Sequence, residues 1–460
     1  MLKETIVHMG FDDIDTPFGG CTTHFVASIL VKWVKDRRIK LIDYPNLIRL
    51  NPGVPWKTRG NGAVVLRFKV KNYDEAIKLL EEAYDEALEY LGKYHHPQHH
   101  PVIGMYIGGL SERIKWIGWK AVHDLIPLDL MHRVLEKEKN KIIYKLLRKD
   151  KKRGLIGVFS AIGYRMTNTD YTYELIAYRS EEYIDKPRQV NAESVKYMDK
   201  VFHNDTILNY DYETNRPLIT PHGGDPVLLG IRGEYPDVLI KAYNMVKINE
   251  PVPIRLIYRT NQHTDAHLRR INNLGEAFIY RGVRVRVWVA SIPKRIMGGH
   301  VIFKVTDGRR FIDVAAYEPT GKLRRIAEKL RPGDEVEVMG IVRPQSSKHG
   351  PTINLEKLHI IMVKPLIKLE NPRCPRCGAR MKSAGRGKGY KCPKCGYRDP
   401  NAKKIVRVIK RDLEPGWYEP SPRAFKHLMK PLKRFGKEKN HYPEEIEPSN
   451  FIWYNNMLLK

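Results

Sequence analysis

At 460 residues the chain is too long for one ordinary hydrophobic core and reads as several domains. Its 81 Lys and Arg exceed its 52 Asp and Glu by 29 charges, an imbalance that calls for a polyanionic partner. No segment approaches the roughly 20 apolar residues of a membrane-spanning helix, and Met1-Leu2-Lys3-Glu4 lacks a signal-peptide core, so membrane roles are disfavoured and a cytoplasmic nucleic-acid-binding protein is expected.

Thr5 to Met9 reads as a strand, and Phe25 to Val31 as a buried helix. Between them runs Gly10-Phe11-Asp12-Asp13-Ile14-Asp15-Thr16-Pro17-Phe18-Gly19-Gly20-Cys21-Thr22-Thr23. Strand alternation puts Asp13 and Asp15 on one side and Asp12 on the other, so at least two carboxylates can converge on a hard divalent cation. Gly19 and Gly20 admit a ligand close to the backbone, and Thr22 or Thr23 falls near a helix N-terminus, where amides favour phosphate. Carboxylates, phosphate and a hydroxyl together point to phosphoryl transfer from a nucleotide. The plainer reading is an acidic turn capped by Thr22. Cys21 reads as a small buried residue, since no His lies at an informative spacing.

Lys40 to Leu50 reads as a second strand, leading into a basic loop with Arg49, Lys57, Arg59, Gly60, Asn61 and Gly62. Its cations and free amides suit a triphosphate or an RNA backbone, and Asn61-Gly62 also reads as a hairpin turn. Ala63 to Phe68 is a third strand. Asn72 caps a helix carrying Glu75, with Ala76, Leu80, Ala83, Ala87 and Leu91 at helical spacing. Val102 to Ile107 and a helical region to about Leu135 complete a small α/β unit. His95-His96-Pro97-Gln98-His99-His100 reads as a solvated turn rather than a metal site.

Leu155 to Tyr164 and Tyr173 to Arg179 read as strands, Ser194 to Val201 as a helix, Asp225 to Ile231 as a strand, Asp237 to Met245 as a helix and Pro253 to Arg259 as a last strand. That order fits a ferredoxin-like domain. It ends in the polar loop Arg259-Thr260-Asn261-Gln262-His263-Thr264-Asp265, read equally as a site wall or a linker.

From Gly275 the pattern is all-β. Val283, Val285, Val287 and Val289 alternate with Arg284, Arg286 and Trp288, and five short strands with a helix before the fourth suggest an OB-fold that binds RNA. Cys374-Pro375-Arg376-Cys377 and Cys392-Pro393-Lys394-Cys395 are two Cys-x-x-Cys knuckles with 14 residues between them, a pattern for four thiolates around a structural zinc in a reducing compartment. The tail mixes rings with cations: Trp417, Tyr418, Arg423, Phe425, Lys426, His427, Lys430, Lys433 and Arg434 suit exposed nucleotides. For Phe451 to Trp453, packing on the body stays open.

The stretch Gly10 to Thr23, the run Arg49-Leu50-Asn51-Pro52-Gly53-Val54-Pro55-Trp56-Lys57-Thr58-Arg59-Gly60-Asn61-Gly62-Ala63 and the order of domains resemble the archaeal tRNA 2-agmatinylcytidine synthetase family over nearly the whole chain. One departure, Ile14 and Thr16 where the family is expected to have Thr and Ser, spares every carboxylate. The resemblance implies a multidomain α+β protein: an N-terminal α/β kinase-like domain (1–138), a ferredoxin-like domain (139–270), an OB-fold β-barrel (271–365), a zinc ribbon (366–405) and a basic aromatic tail (406–460). It implies ATP-dependent conjugation of agmatine to C2 of the wobble cytidine of an isoleucine tRNA with a CAU anticodon. It also makes Thr22 the phosphorylated threonine, beside Asp12, Asp13 and Asp15 on Mg2+. Gly19, Gly20, Thr23, Arg49, Lys57, Arg59, Gly60 and Asn61 would then hold the ATP phosphates. Asp225, Glu234 and Asp265 are expected around the agmatine dication, and Cys374, Cys377, Cys392 and Cys395 around Zn2+. No obligate protein partner is evident. The rival expectations are a non-catalytic tRNA-binding protein and a tRNA ligase using another amine.

Overall fold

The first strand, β1 (Thr5–Asp12), lies at the centre of its unit, pairing antiparallel with β4 on one side and β5 on the other. It belongs to a computed structural model describing residues 4–15, 20–57, 60–93, 99–345 and 349–459. The elements of the first unit are β1, α1 (Thr22–Lys35), β2 (Lys40–Leu41), β3 (Asn46–Arg49), β4 (Gly62–Val70), α2 (Tyr73–Lys93), β5 (Val102–Ile107), α3 (Glu112–His123), α4 (Leu128–Lys137) and β6 (Ile142–Leu146). The Asn72 carboxamide caps α2 by accepting from Glu75 N at 2.9 Å, as its spacing predicts. The expected strand from Lys40 to Leu50 is instead two short strands, both paired to β4.

The second unit holds α5 (Gly154–Gly163), β7 (Thr172–Tyr178), α6 (Ala192–Val201), β8 (Thr206–Ile207), β9 (Tyr210–Asp211), β10 (Arg216–Pro217), β11 (Val227–Gly233), α7 (Pro236–Met245) and β12 (Ile254–Thr260). The expected strand from Leu155 to Tyr164 is thus the helix α5. Every described residue of α5 except Ile156 is buried, so it has no polar stripe, and a short apolar run then looks alike in a buried helix and a buried strand. Small residues let it pack tightly on α3. A Cβ on Gly163 would sit 1.9 Å from Ile114 O, and one on Gly118 would sit 2.4 Å from Tyr164 N.

The two units share one sheet in the order β6-β5-β1-β4-β3-β12-β7-β11-β8. Its only parallel pairing among the described residues joins the units, with Arg259 opposite Asn46 and Thr260 opposite Leu47. Asn261 continues that pairing with its side chain, donating to Arg49 O at 2.9 Å and accepting from Arg49 N at 2.8 Å. The Arg259 guanidinium, fully buried, forms an ion pair with Asp43 and lies 3.6 Å from the Tyr442 ring centre.

Next come β13 (Leu268–Arg270), β14 (Gly282–Val289), β15 (Lys294–Arg295), β16 (Val301–Thr306), β17 (Phe311–Ala316), α8 (Lys322–Glu328), β18 (Glu335–Arg343) and β19 (Thr352–Met362). The order β14-β18-β19-β17-β16 closes through a further β14–β16 pairing into a five-stranded barrel, with its helix before the fourth barrel strand as the pattern predicts. In β19 the register shifts so that Met339 faces Lys357 while Gly340 faces Leu355. The intervening Glu356 is the extra residue of a bulge, and Glu356 and Lys357 both reach partners outside the barrel. The Glu356 carboxylate accepts from His267 Nε2 at 2.8 Å and Lys426 Nζ at 3.2 Å, while Lys357 binds Asp265 and donates to Lys430 O at 2.8 Å.

A two-stranded ribbon, β20 (Leu366–Glu370) with β24 (Ile405–Ile409), carries the cysteine knuckles between its strands, where β21 (Lys382–Ser383), β22 (Tyr390–Lys391) and β23 (Arg398–Asp399) form a small sheet. The tail returns to the body: β25 (Gly416–Tyr418) pairs with β19, and β26 (Ile452–Tyr454), in hairpin with β27 (Met457–Leu458), pairs with β12. Several of the rings and cations read as suiting exposed nucleotides are thus engaged with the body, and the packing of Phe451 to Trp453, left open by the sequence, is on β12. Trp417 stacks on His359 with 4.2 Å between ring centres, Arg434 is buried on Glu234 and Asp170, and Trp453 is buried in β26.

Two tests follow from this packing. Gly163→Ala drives a methyl into the Ile114 carbonyl and should destabilise the fold by about 1–3 kcal/mol in denaturant titration. Burial raises the Glu356 pKa, but the charges and hydrogen bonds of Lys426 and His267 outweigh it and hold it at about 2, below its usual 4.5. The stability it contributes, about 3 kcal/mol, is therefore present above about pH 4.5 and lost as pH falls toward 2. Unfolding measured near pH 6 and near pH 3 should show the gap between wild type and Glu356→Gln shrinking on acidification.

Candidate active site at the junction of the two units

A cavity of about 430 Å³ opens beside the β3–β12 seam. The first unit contributes Asp15, Cys21, Thr22, Thr23, Arg49 and Gly60; the second contributes Glu174, Asp225, Arg232 and His263; the tail contributes Arg423 through His427 apart from Ala424.

Thr22 is the first residue of α1, where helix amides converge. Its Oγ1 accepts from Ile14 N at 3.1 Å and lies 3.5 Å from Asp15 Oδ1, so a carboxylate sits within reach of the hydroxyl proton. Thr23 Oγ1 lies 3.1 Å from Cys21 Sγ, and Gly20 is buried just before the helix. Cys21, read as a small buried residue, is instead partly buried and lines the cavity, and desolvation with the nearby Asp225 pushes its thiol up.

The three carboxylates do not follow strand alternation. Asp13 has φ 61, which ends β1, and its carboxylate accepts from His100 N away from the cavity. Only Asp15 of the three lines the cavity. The Asp12 carboxylate packs against α5, where a Cβ on Gly157 would meet Oδ2 at 2.0 Å. Burial, with repulsion from Asp13 and Asp15, raises the Asp12 pKa well above the carboxylate range. A corner that disfavours its own negative charge suits a bound cation.

Opposite these groups, the Arg49 guanidinium packs over Gly60 and Gly62, whose added Cβ atoms would lie 2.6 and 2.7 Å from Nη1. Its Nε is buried without a hydrogen-bond partner, and burial lowers its pKa. Burial, then Arg343 and Lys426, lowers the Lys57 pKa. Asn61 takes φ 51 and donates to Asn51 O at 2.9 Å, whereas Gly62 already belongs to β4, so Asn61-Gly62 closes a longer loop rather than a two-residue hairpin. Gly19, Arg59 and residues 95–98 lie outside the described residues. His100 sits with its Nε2 2.9 Å from Arg153 Nη2.

Of the expected agmatine carboxylates, only Asp225 lines the cavity; its Oδ1 accepts from Val227 N at 3.1 Å and Arg188 Nη2 at 3.3 Å. Glu234 is buried on Arg434 and on Lys439 at 2.8 Å, and Asp265 on Lys357 and Lys430 N, so both carboxylates are neutralised by the tail and the barrel. Neither lines the cavity.

Sequence reasoning assigned no role in the site to three wall residues, Glu174, Arg232 and His427, whereas His263 belongs to the polar loop read equally as a site wall or a linker. Arg232 Nε donates to Glu174 Oε1 at 2.9 Å, Gln262 Nε2 donates to Glu174 Oε2, and His427 Nδ1 lies 2.8 Å from Gln262 Oε1. The polar loop after β12 was the available signal for Gln262 and His263. His427 stood only among the rings and cations of the tail, with nothing to tie it to Gln262, 165 residues away.

Far from the cavity, the four Sγ atoms of Cys374, Cys377, Cys392 and Cys395 lie within 4.8 Å of one another, and no other such metal-ligating group occurs among the described residues. A tetrahedron with Zn–S of about 2.3 Å fits that spacing. Gly378 and Gly396, with φ 71 and 74, follow the two knuckles and allow their tight turns. Among the described residues no helix is long and apolar enough to cross a membrane.

Four family models match the chain: the TiaS TCKD domain over 8–146, the TiaS FLD domain over 152–267, an OB-fold nucleic acid binding domain over 283–361 and the TiaS C-terminal zinc ribbon domain over 371–413. The isoleucine-tRNA 2-agmatinylcytidine synthetase TiaS of Ignisphaera aggregans is 40% identical over 457 residues, covering 96% of this chain and 97% of that protein. The enzyme of the same name from Pyrococcus horikoshii is 39% identical, covering 93% and 97%. A crystal structure of apo TiaS, an isoleucine-tRNA agmatidine synthetase, is similar with TM-score 0.80 and 36% identity, covering 93% of this chain and 97% of that one. A crystal structure of TiaS in complex with its isoleucine tRNA, AMPCPP and agmatine gives TM-score 0.77 and 33% identity, with the same coverage. Identity over nearly the full length of both chains, in all four domains, places this chain in the TiaS family of isoleucine-tRNA 2-agmatinylcytidine synthetases.

Proposed function

We propose that the chain is an archaeal, cytoplasmic ATP-dependent ligase that joins agmatine to C2 of the wobble cytidine of an isoleucine tRNA with a CAU anticodon, forming 2-agmatinylcytidine so that AUA is decoded. The observation that carries this reading is the single cavity that gathers Thr22 with Asp15, a cationic wall and a separate carboxylate, Asp225. A ring carbonyl oxygen is a poor leaving group, so it is first made a phosphate ester; that step demands ATP and a site able to offset phosphate charge.

Thr22, at the N-terminus of α1 and beside Asp15, is the phosphate acceptor within the protein. Arg49, with a buried guanidinium nitrogen still to be satisfied, lines the cavity with Thr23 and Gly60, and these three would face the nucleotide phosphates; Gly20, Lys57 and Asn61, expected beside them, are not among the lining residues. Asp15, together with Asp12, would hold Mg2+, which when bound would neutralise phosphate oxygens and relieve the repulsion that raises Asp12; Asp13, expected in the same set, is turned to His100 N instead. Asp225, at the cavity wall, is the carboxylate that meets a cationic end of agmatine. The four cysteines hold a zinc that shapes the ribbon and takes no part in the reaction.

The decisive measurement is incorporation of radiolabelled agmatine into unmodified isoleucine tRNA with ATP and magnesium. Wild type should transfer it; Thr22→Ala should lose transfer while still binding tRNA. Transfer of lysine in place of agmatine would identify another amine ligase, and tRNA binding without any transfer would identify a binding protein. Asp12→Asn should reduce turnover on the order of a hundredfold or more with tRNA affinity nearly intact, whereas equal loss of both would remove its assigned metal role. A strong chelator, or replacement of Cys374 and Cys377, should lower tRNA affinity more than ATP affinity; unchanged tRNA affinity would remove the ribbon from RNA binding.

A further inference from the structure

We infer that His427, supplied by the C-terminal tail, is the general base that takes the proton shed by the attacking amine. The inference rests on the ligase reading above and adds the residue that makes the nucleophile competent.

Hydrogen bonding decides which nitrogen is available. Gln262 Nε2 donates to the Glu174 carboxylate, which accepts only, so the Gln262 amide must present its oxygen to the ring. Oε1 therefore accepts from His427 Nδ1 at 2.8 Å, and Nδ1 carries the proton of the neutral ring. The lone pair is left on Nε2. That nitrogen faces the basic loop at the cavity wall, where a Cβ on Gly60 would lie 2.6 Å from it. Carboxylate, amide and imidazole form a chain in which Glu174 and Gln262 are positioning residues, and the Gln262 carbonyl dipole, oriented by Glu174, stabilises positive charge gained at the ring.

Charge sets when the base is strong. Burial lowers the His427 pKa well below 6.5, and Arg49, Arg232, His263 and Lys57, facing it from β3, β11, the loop after β12 and the basic loop, lower it further. The ring is thus neutral at physiological pH. Phosphate bound against Arg49 and Lys57 offsets those charges and raises the basicity of Nε2 once the activated substrate is in place. The same cations disfavour agmatine's ammonium form, so its first proton leaves to solvent on binding. The free amine then attacks C2 and the C2–N bond forms. Its second proton passes to His427 Nε2, and the C2–O bond breaks with its electron pair leaving on phosphate.

The test is agmatine transfer by the full-length chain carrying His427→Gln or His427→Ala, with tRNA affinity and thermal unfolding measured alongside. The expected result is a kcat lower on the order of 10²–10⁴-fold, KM for agmatine within a few-fold of wild type, and partial rescue of His427→Ala by added imidazole. In wild type kcat should fall on acidification as His427 protonates in the bound complex, and that limb should vanish in His427→Gln, whereas kcat/KM keeps in both proteins the acid limb set by agmatine's own deprotonation on binding. A variant kcat within about threefold of wild type, or a KM effect alone, or an acid limb in kcat that persists, overturns the base. A wild type that binds ATP and tRNA yet transfers no amine overturns the ligase reading and the base together.

Discussion

The structure depends on one seam, the parallel pairing of β3 with β12. Antiparallel neighbours surround it on both sides, so this short ladder alone makes one sheet from two domains. Two residues hold it. The Asn261 carboxamide replaces backbone partners where β12 ends, and the buried Arg259 neutralises Asp43 while resting on Tyr442. A buried ion pair adds little over an apolar pair, but loss of one partner strands the other charge at a cost of about 3–5 kcal/mol. The seam is therefore intolerant of small change, and the cavity beside it inherits that rigidity. Thr22 and Arg49 on one side and Glu174 and Asp225 on the other are set by the same register.

The tail works on the same geometry from outside. Its β25 joins the barrel, its middle segment walls the cavity and its β26 adds an edge to β12. The bulge in β19 sends Glu356 to Lys426 and Lys357 to Asp265, so the barrel grips the cavity wall at Lys426 and, through Asp265, the loop that carries His263. The barrel is thereby joined to the cavity through packed charges rather than through a flexible linker.

Charge distribution explains how a protein with a formal charge of +29 can host a dication. The cavity carries both signs of charge: Asp15 and Asp225 line it as well as Arg49 and Arg232, and Glu174 is paired with Arg232. Desolvation works against charge near the cavity, raising Asp12 and lowering Arg49.

The sequence by itself determined whatever is local. Cysteine spacing defined the ribbon, valine alternation defined the barrel, and the Asn72 cap with its apolar stripe at helical spacing defined α2. Gly10 to Thr23 marked the site because its groups are neighbours in the chain. Tertiary structure alone decided three other matters. It made a helix of Gly154 to Gly163, since a run buried on every side has no periodicity to read. It took Glu234 and Asp265 out of the site by pairing them with Arg434 and Lys357, partners 200 and 92 residues away. It brought His427 to Gln262 across 165 residues. Local pattern fixes which groups a segment offers, but whether a charge meets a ligand or a partner depends on contacts between distant segments, and those exist only once the chain has folded.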